Sequence, residues 1–143
     1  VTYLLDVNVL IALMDPASSH HAVAQNWFGA VGSKSWATCP ITQNGLIRIV
    51  GNPRYPNSPG SPRSIAELLA VFTRDPGHEF WNDDVTLTDT GKFDLTRLLT
   101  QGQVTDTYLL GLAISHGGMF ATLDHRLLTD AVINGTSGLH LVR

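Results

Sequence analysis

Cysteine is nearly absent: Cys39 stands alone in 143 residues. That excludes an internal disulfide framework, and one thiol cannot build a CxxC zinc clamp. Lysine is almost as scarce, with Lys34 and Lys92 the only two. Charged residues reach only 15%, while hydrophobic residues make up 43%. So apolar a composition excludes disorder. Long hydrophobic runs are missing too, because Asp, His, Pro and Gly interrupt every apolar stretch before the ~20 residues a membrane helix needs. No basic start followed by an apolar run and a small-residue cleavage site is present. Val1 already lies in a structured-looking segment, so the expectation is a nearly complete, cytoplasmic, single-domain product spanning residues 1–143, a length within the ~100–200 residues of one domain.

No excess of basic charge marks a nucleic-acid binder. Nine Lys and Arg against twelve Asp and Glu leave a net charge of −3. The distribution is uneven, however. Arg48, Arg54, Arg63 and Arg74 precede a stretch containing Asp75, Glu79, Asp83, Asp84, Asp89 and Asp94. A local basic face beside an acidic segment suits a polyanion, although a dispersed solvated surface would read the same way.

Apolar strand-like runs alternate with helical spacing along the chain. Strands are expected at Thr2–Leu5, Ser35–Cys39, Met119–Leu123 and Leu139–Val142, with short pieces at Phe80-Trp81 and Val85–Leu87. Helices are expected from Val9 to near Asp15-Pro16, after a cap at Ser18 or Ser19, over Ile41–Val50, Ile65–Phe72 and Thr105–Ser115, and briefly over Arg126–Ala131. Residues 52–62 hold four prolines and read as an exposed loop bordering a groove. This alternation predicts an α/β fold around a mainly parallel sheet, whose ligand crevice lies beyond the carboxyl ends of its strands.

That rule selects Asp6, directly after the first strand, and Asp124, directly after Met119–Leu123. Asp106 falls in the first turn of the best helix, where the dipole favours a carboxylate. Taken singly, each is explained as a cap or turn residue. Taken together, they form an anionic cluster, and two carboxylates ~4 Å apart repel by about 4 kcal/mol at an effective dielectric of 20. Protonation or a cation must relieve that, and oxygen-only ligands select Mg²⁺ or Mn²⁺ over zinc. A hard ion with open water positions suits phosphodiester hydrolysis. Asn8 orients Asp6 or caps its helix, and Thr105 caps the helix bearing Asp106. Arg48 and Arg126 are candidate phosphate contacts, since a guanidinium grips two oxygens; Arg54 adds a charge beside Tyr55 on the proline loop. Trp27, Phe28 and Trp36 read as core anchors, His20 and His21 as helix-start packing, His116 as a C-cap contact and Cys39 as inert core.

Several segments resemble the VapC branch of the PIN-domain toxins, most closely its mycobacterial members. They are Leu-Leu-Asp6-Val-Asn8-Val-Leu-Ile-Ala, His21-x-x-Ala24-x-x-Trp27-Phe28, Thr42-Gln-Asn-Gly-Leu-Ile-Arg48 with Asn52-Pro53-Arg54, Val-Thr105-Asp106-Thr-Tyr108-Leu-Leu, and Ala121-Thr-Leu-Asp124-His-Arg126. The resemblance implies a three-layer α/β/α sandwich and a Mg²⁺-dependent endoribonuclease, active as a homodimer and silenced by a VapB-type antitoxin. It assigns Asp6, Asp106 and Asp124 as metal-binding carboxylates. A second acid, a Glu on the helix after the second strand, is missing here; Gln43 or Asn44 could lend an amide oxygen, or water could fill the gap.

Two other classes compete. An aspartyl phosphotransferase also places an Asp after its first strand, but it usually shows Asp-x-Asp where this chain has Asn8. A PIN-like module without its second acid could bind RNA or protein and not cut.

Overall fold

The computed structural model describes all residues from Val1 to Arg143. Five short strands form one sheet: β1 (Tyr3–Leu5), β2 (Trp36–Thr38), β3 (His78–Phe80), β4 (Met119–Thr122) and β5 (Leu139–Leu141). Their order is β3-β2-β1-β4-β5, and every pairing is parallel. Parallel neighbours need crossovers, which the helices supply. These are α1 (Val7–Met14), α2 (His21–Ala30), α3 (Pro40–Val50), α4 (Pro62–Phe72) and α5 (Val104–Ser115).

Side-chain alternation along the strands divides the core in two. Leu5, Trp36 and Ala121 face one way and pack with apolar residues of α1 to α4. Leu4, Ala37 and Phe120 face the other way, against α5 and the loop residues Trp81, Phe93 and Val132. The outcome is the expected three-layer α/β/α sandwich. The chain leaves β1 toward β2 on one side, and β4 and β5 lie on the other, so the order reverses between β1 and β4. The crevice of such a sheet opens at that reversal, beyond the carboxyl ends of these two strands.

Five local expectations are corrected. The segment Arg126–Ala131 is not helical. The Asp124 carboxylate accepts from Arg126 N, and Asp94 N donates to the Ala131 carbonyl. Its backbone is therefore spent on turns and on the antiparallel bridge Phe93–Val132. Val85–Leu87 joins no strand: a turn runs from Thr86 to Asp89, and the Val85 carbonyl accepts from the Tyr108 hydroxyl. The last strand before it is His78–Phe80, two residues earlier than hydropathy suggested. Helix α2 is capped by neither serine: its N-cap is His20, without a side-chain bond, while the His21 ring meets the Ala12 carbonyl at 2.7 Å. The fourth proline of the loop, Pro62, opens α4 behind the cap Ser61.

Gly111 on α5 permits the closest approach in the second core, for a Cβ there would sit 2.3 Å from Phe93 Cε1 and Cζ. Alanine gains about 1 kcal/mol over glycine in helix propensity, whereas overpacking costs about 1–3 kcal/mol. Overpacking wins with the buried Phe93 ring as the obstacle. Gly111→Ala is therefore expected to lower the thermal midpoint, and Gly111→Ala with Phe93→Leu to recover part of the loss in the same melts.

Candidate active site at the carboxyl edge

Asp6 ends β1 and caps α1. Its Oδ1 accepts from Val7 N at 2.7 Å, and its Oδ2 accepts from the Thr122 hydroxyl at 2.7 Å. Thr122, the last residue of β4, is wholly buried. The same hydroxyl oxygen accepts from Asn8 Nδ2 at 3.2 Å and from Asp124 N at 3.0 Å. One hydrogen donated and two accepted saturate a hydroxyl. Asn8 Oδ1 accepts in turn from Leu123 N. Asn8 thus orients Asp6 indirectly, through Thr122, and ties the start of α1 to the end of β4.

Burial is the main force on Asp6 and raises its carboxyl from 3.8 to about 6; Asp106 and Asp124 add their charge, opposed by the bonds from Thr122 and Val7. Asp106, half-buried, is also raised, first by burial and then by Asp124, with no hydrogen bond to offset either. The topology therefore brings the three aspartates together within electrostatic reach. No three Asp, Glu, His or Cys side chains converge into a preformed ion cage. Asp106 and Asp124 line an open cleft of about 190 Å³ with Thr100, Gln103, Arg126 and Leu127. The donors are all oxygen and repel one another, which fits a hard cation and not zinc.

The remaining candidates scatter. Arg126 borders the cleft. Asn44 and Arg48 are exposed one turn apart on α3. Gln43 is engaged elsewhere, donating from Nε2 to Thr38 Oγ1 at 3.0 Å. Thr105 is exposed inside α5 and caps nothing; the position before the helix is Gln103, whose side chain reaches back to Leu99 N and Thr100 N. Arg54 lies on the loop that Tyr55 pins to Asp15, at the far end of α1. Eight helical residues, about 12 Å, separate that end from Asp6. Thr122 was missed by sequence reading. Its position two before Asp124, with a hydroxyl among apolar strand residues, was the available signal.

The PIN domain family model matches residues 3–131. The chain belongs to the PIN-domain family and, within it, to the VapC ribonucleases. It is 44% identical over 133 residues to Ribonuclease VapC44 of Mycobacterium tuberculosis, covering 93% of each chain. Ribonuclease VapC39 of the same organism is 42% identical over 131 residues, covering 92% of this chain and 94% of the relative. Among solved structures, VapBC2 from Rickettsia felis bound to a promoter DNA fragment superposes with a TM-score of 0.59. That alignment covers 88% of this chain and 90% of the other at 14% identity, a likeness of fold.

Because the folded protein holds the Asp6 proton more tightly than the unfolded chain, its stabilising effect is complete below about pH 4 and lost as pH rises through about 6. A rise from 3.8 to about 6 corresponds to about 3 kcal/mol. Melts in chelator from pH 4 to 7 should show wild type losing stability faster than Asp6→Asn as pH increases. Parallel slopes would refute the burial of an unrelieved charge at Asp6.

Proposed function

We propose that this VapC ribonuclease is the toxin of a toxin–antitoxin pair and cuts RNA internally with a hard divalent ion, Mg²⁺ or Mn²⁺ in its place, held by Asp6, Asp106 and Asp124. The observation that carries this reading is the set of three aspartates at the reversal of the sheet, one of them, Asp106, raised in pKa and without a hydrogen-bonding partner. When bound, such an ion lowers the pKa of a water and shields charge on the phosphate. The chain's own residues do the rest. Thr122 and Val7 N fix the rotamer of Asp6. Asn8 and Thr122 hold the turn that carries Asp124. Arg126 at the cleft and Arg48 on α3 grip phosphate oxygens on either side of the scissile bond. Arg54, at the far end of α1, is assigned no contact with the cleaved phosphate.

Apolar residues line one side of the cleft: Leu127 is partly buried and Leu128 is 54% exposed. An acidic cleft with an apolar rim suits an antitoxin segment that inserts a cationic side chain between hydrophobic neighbours. The VapBC2 relative supports a VapB-type partner. A homodimer, a single domain over residues 1–143 and a cytoplasmic site of action complete the reading; no helix here is long and apolar enough to cross a membrane. The absence of an acid on α3 favours a second reading, a PIN module that binds RNA without cutting it.

Asp106→Asn tests both. The variant is expected to stay folded, with an unchanged or raised metal-free midpoint, and to lose RNA cleavage. Added Mn²⁺ should stabilise wild type, by about 2.7 kcal/mol at a hundredfold excess over Kd, and leave the variant unmoved. A variant that melts lower, still responds to Mn²⁺ and still cuts RNA would make Asp106 an ordinary helix acid. Wild type that binds Mn²⁺ and RNA without cleavage would support the binding module.

A further inference from the structure

The helix that follows β2 in this chain carries no acid, and the structure shows where each of its candidate substitutes stands. Gly45 faces α1 at the catalytic end, so closely that a Cβ would lie 2.8 Å from Val7 Cγ2, beside Asp6. At 3.6 residues per turn, Gln43 lies about 200° around the helix from Gly45. It points toward β2 and β3, not toward Asp6. Asn44 is exposed, and its side chain makes no hydrogen bond to Thr38, Asp6 or any neighbour.

Gln43 belongs to a part-buried relay through Thr38 to His78. Its Nε2 lies 3.0 Å from Thr38 Oγ1, and that hydroxyl lies 2.7 Å from His78 Nε2. Thr38 is fully buried. Burial lowers the pKa of His78 and outweighs Asp75 and Glu79 nearby. A neutral ring that offers the lone pair of Nε2 to Thr38 is the arrangement that matches an amide donor on the other side of that hydroxyl. Thr38 then donates to His78 and accepts from Gln43, and only the amide nitrogen of Gln43 can supply that proton. His78 is held further by packing on Trp36 at 4.6 Å between ring centroids.

We propose that Gln43 is a positioning residue, locking the first turns of α3 to β2 and β3 through Thr38 and His78, and that Asp6, Asp106 and Asp124 bind the ion with no oxygen from α3. The inference rests on the metal-dependent reading above. It makes a specific statement about glutamate: a carboxylate at 43 has no proton to donate, so Thr38 must turn to it and leave His78 Nε2 without a donor. Restoring an acid there breaks the relay instead of completing the site.

The test combines Mn²⁺ titration calorimetry with the nitrogen NMR signature of the His78 tautomer, on the full chain. Gln43→Ala and Asn44→Ala should each leave the Mn²⁺ Kd within twofold of wild type, while Asp106→Asn abolishes measurable binding. Gln43→Glu should tighten Mn²⁺ by no more than twofold, lower the metal-free midpoint and shift His78 from its neutral signature toward the protonated ring at pH 7. A tenfold loss of affinity in either alanine variant, or a tenfold gain in Gln43→Glu, would overturn the proposal. An unchanged His78 signature in Gln43→Glu, read without metal, would equally remove the relay. Wild type that fails to bind Mn²⁺ would sink the metal-dependent reading of the site, while the His78 arm still judges Gln43.

Discussion

The hydroxyl of Thr122 joins the parts of this molecule that do chemistry. It donates to Asp6 and accepts from Asn8 and from the backbone of Asp124, so one buried atom couples the ends of β1 and β4 to the start of α1. A hydrogen bond to a charged group contributes about 1.5–3 kcal/mol, and a buried partner left unmade costs about as much. That coupling works against the desolvation of Asp6 and lets a carboxylate that burial disfavours persist between two others. The protein stores an electrostatic tension there, which the cation we propose would relieve.

The sheet makes this possible at little structural cost. All five strands run the same way, so their carboxyl ends share one edge, and the strand order reverses between β1 and β4. Asp6 and Asp124 follow those two strands at the reversal, close enough that Asp124 helps to raise the Asp6 carboxyl. Helix α5 arrives from the opposite face and delivers Asp106 in its first turn. Close contacts between elements, at Gly111 against Phe93 and Gly45 against Val7, then fix how near α5 and α3 stand to their neighbours.

Much of this was legible in the sequence because it depends on local pattern. Strand ends are marked where Leu4-Leu5 and Phe120–Leu123 stop at an aspartate, and the parallel sheet follows from alternating strand and helix signals. Motif likeness reached Asp6, Asp106 and Asp124 together. What escaped depends on tertiary partners. The Arg126–Ala131 segment has helical composition, but the carbonyl at its end, Ala131, accepts from Asp94 N, distant in sequence. Thr122 looks like any strand threonine until β4 is laid beside β1. Gln43 and Asn44 looked equivalent as substitutes for the missing acid, and only the close seating of Gly45 on Val7 shows which way each of them faces.

With one aspartate after each of two strand ends and a third opening a helix, what we propose is that a hard ion draws Asp6, Asp106 and Asp124 together. Anomalous diffraction from crystals grown with Mn²⁺ tests it most directly. The account predicts a strong peak within about 2.0–2.6 Å of a carboxylate oxygen from each of the three aspartates, with water completing the shell. A peak bound elsewhere, or an empty cleft at a Mn²⁺ concentration that supports RNA cleavage, would contradict it.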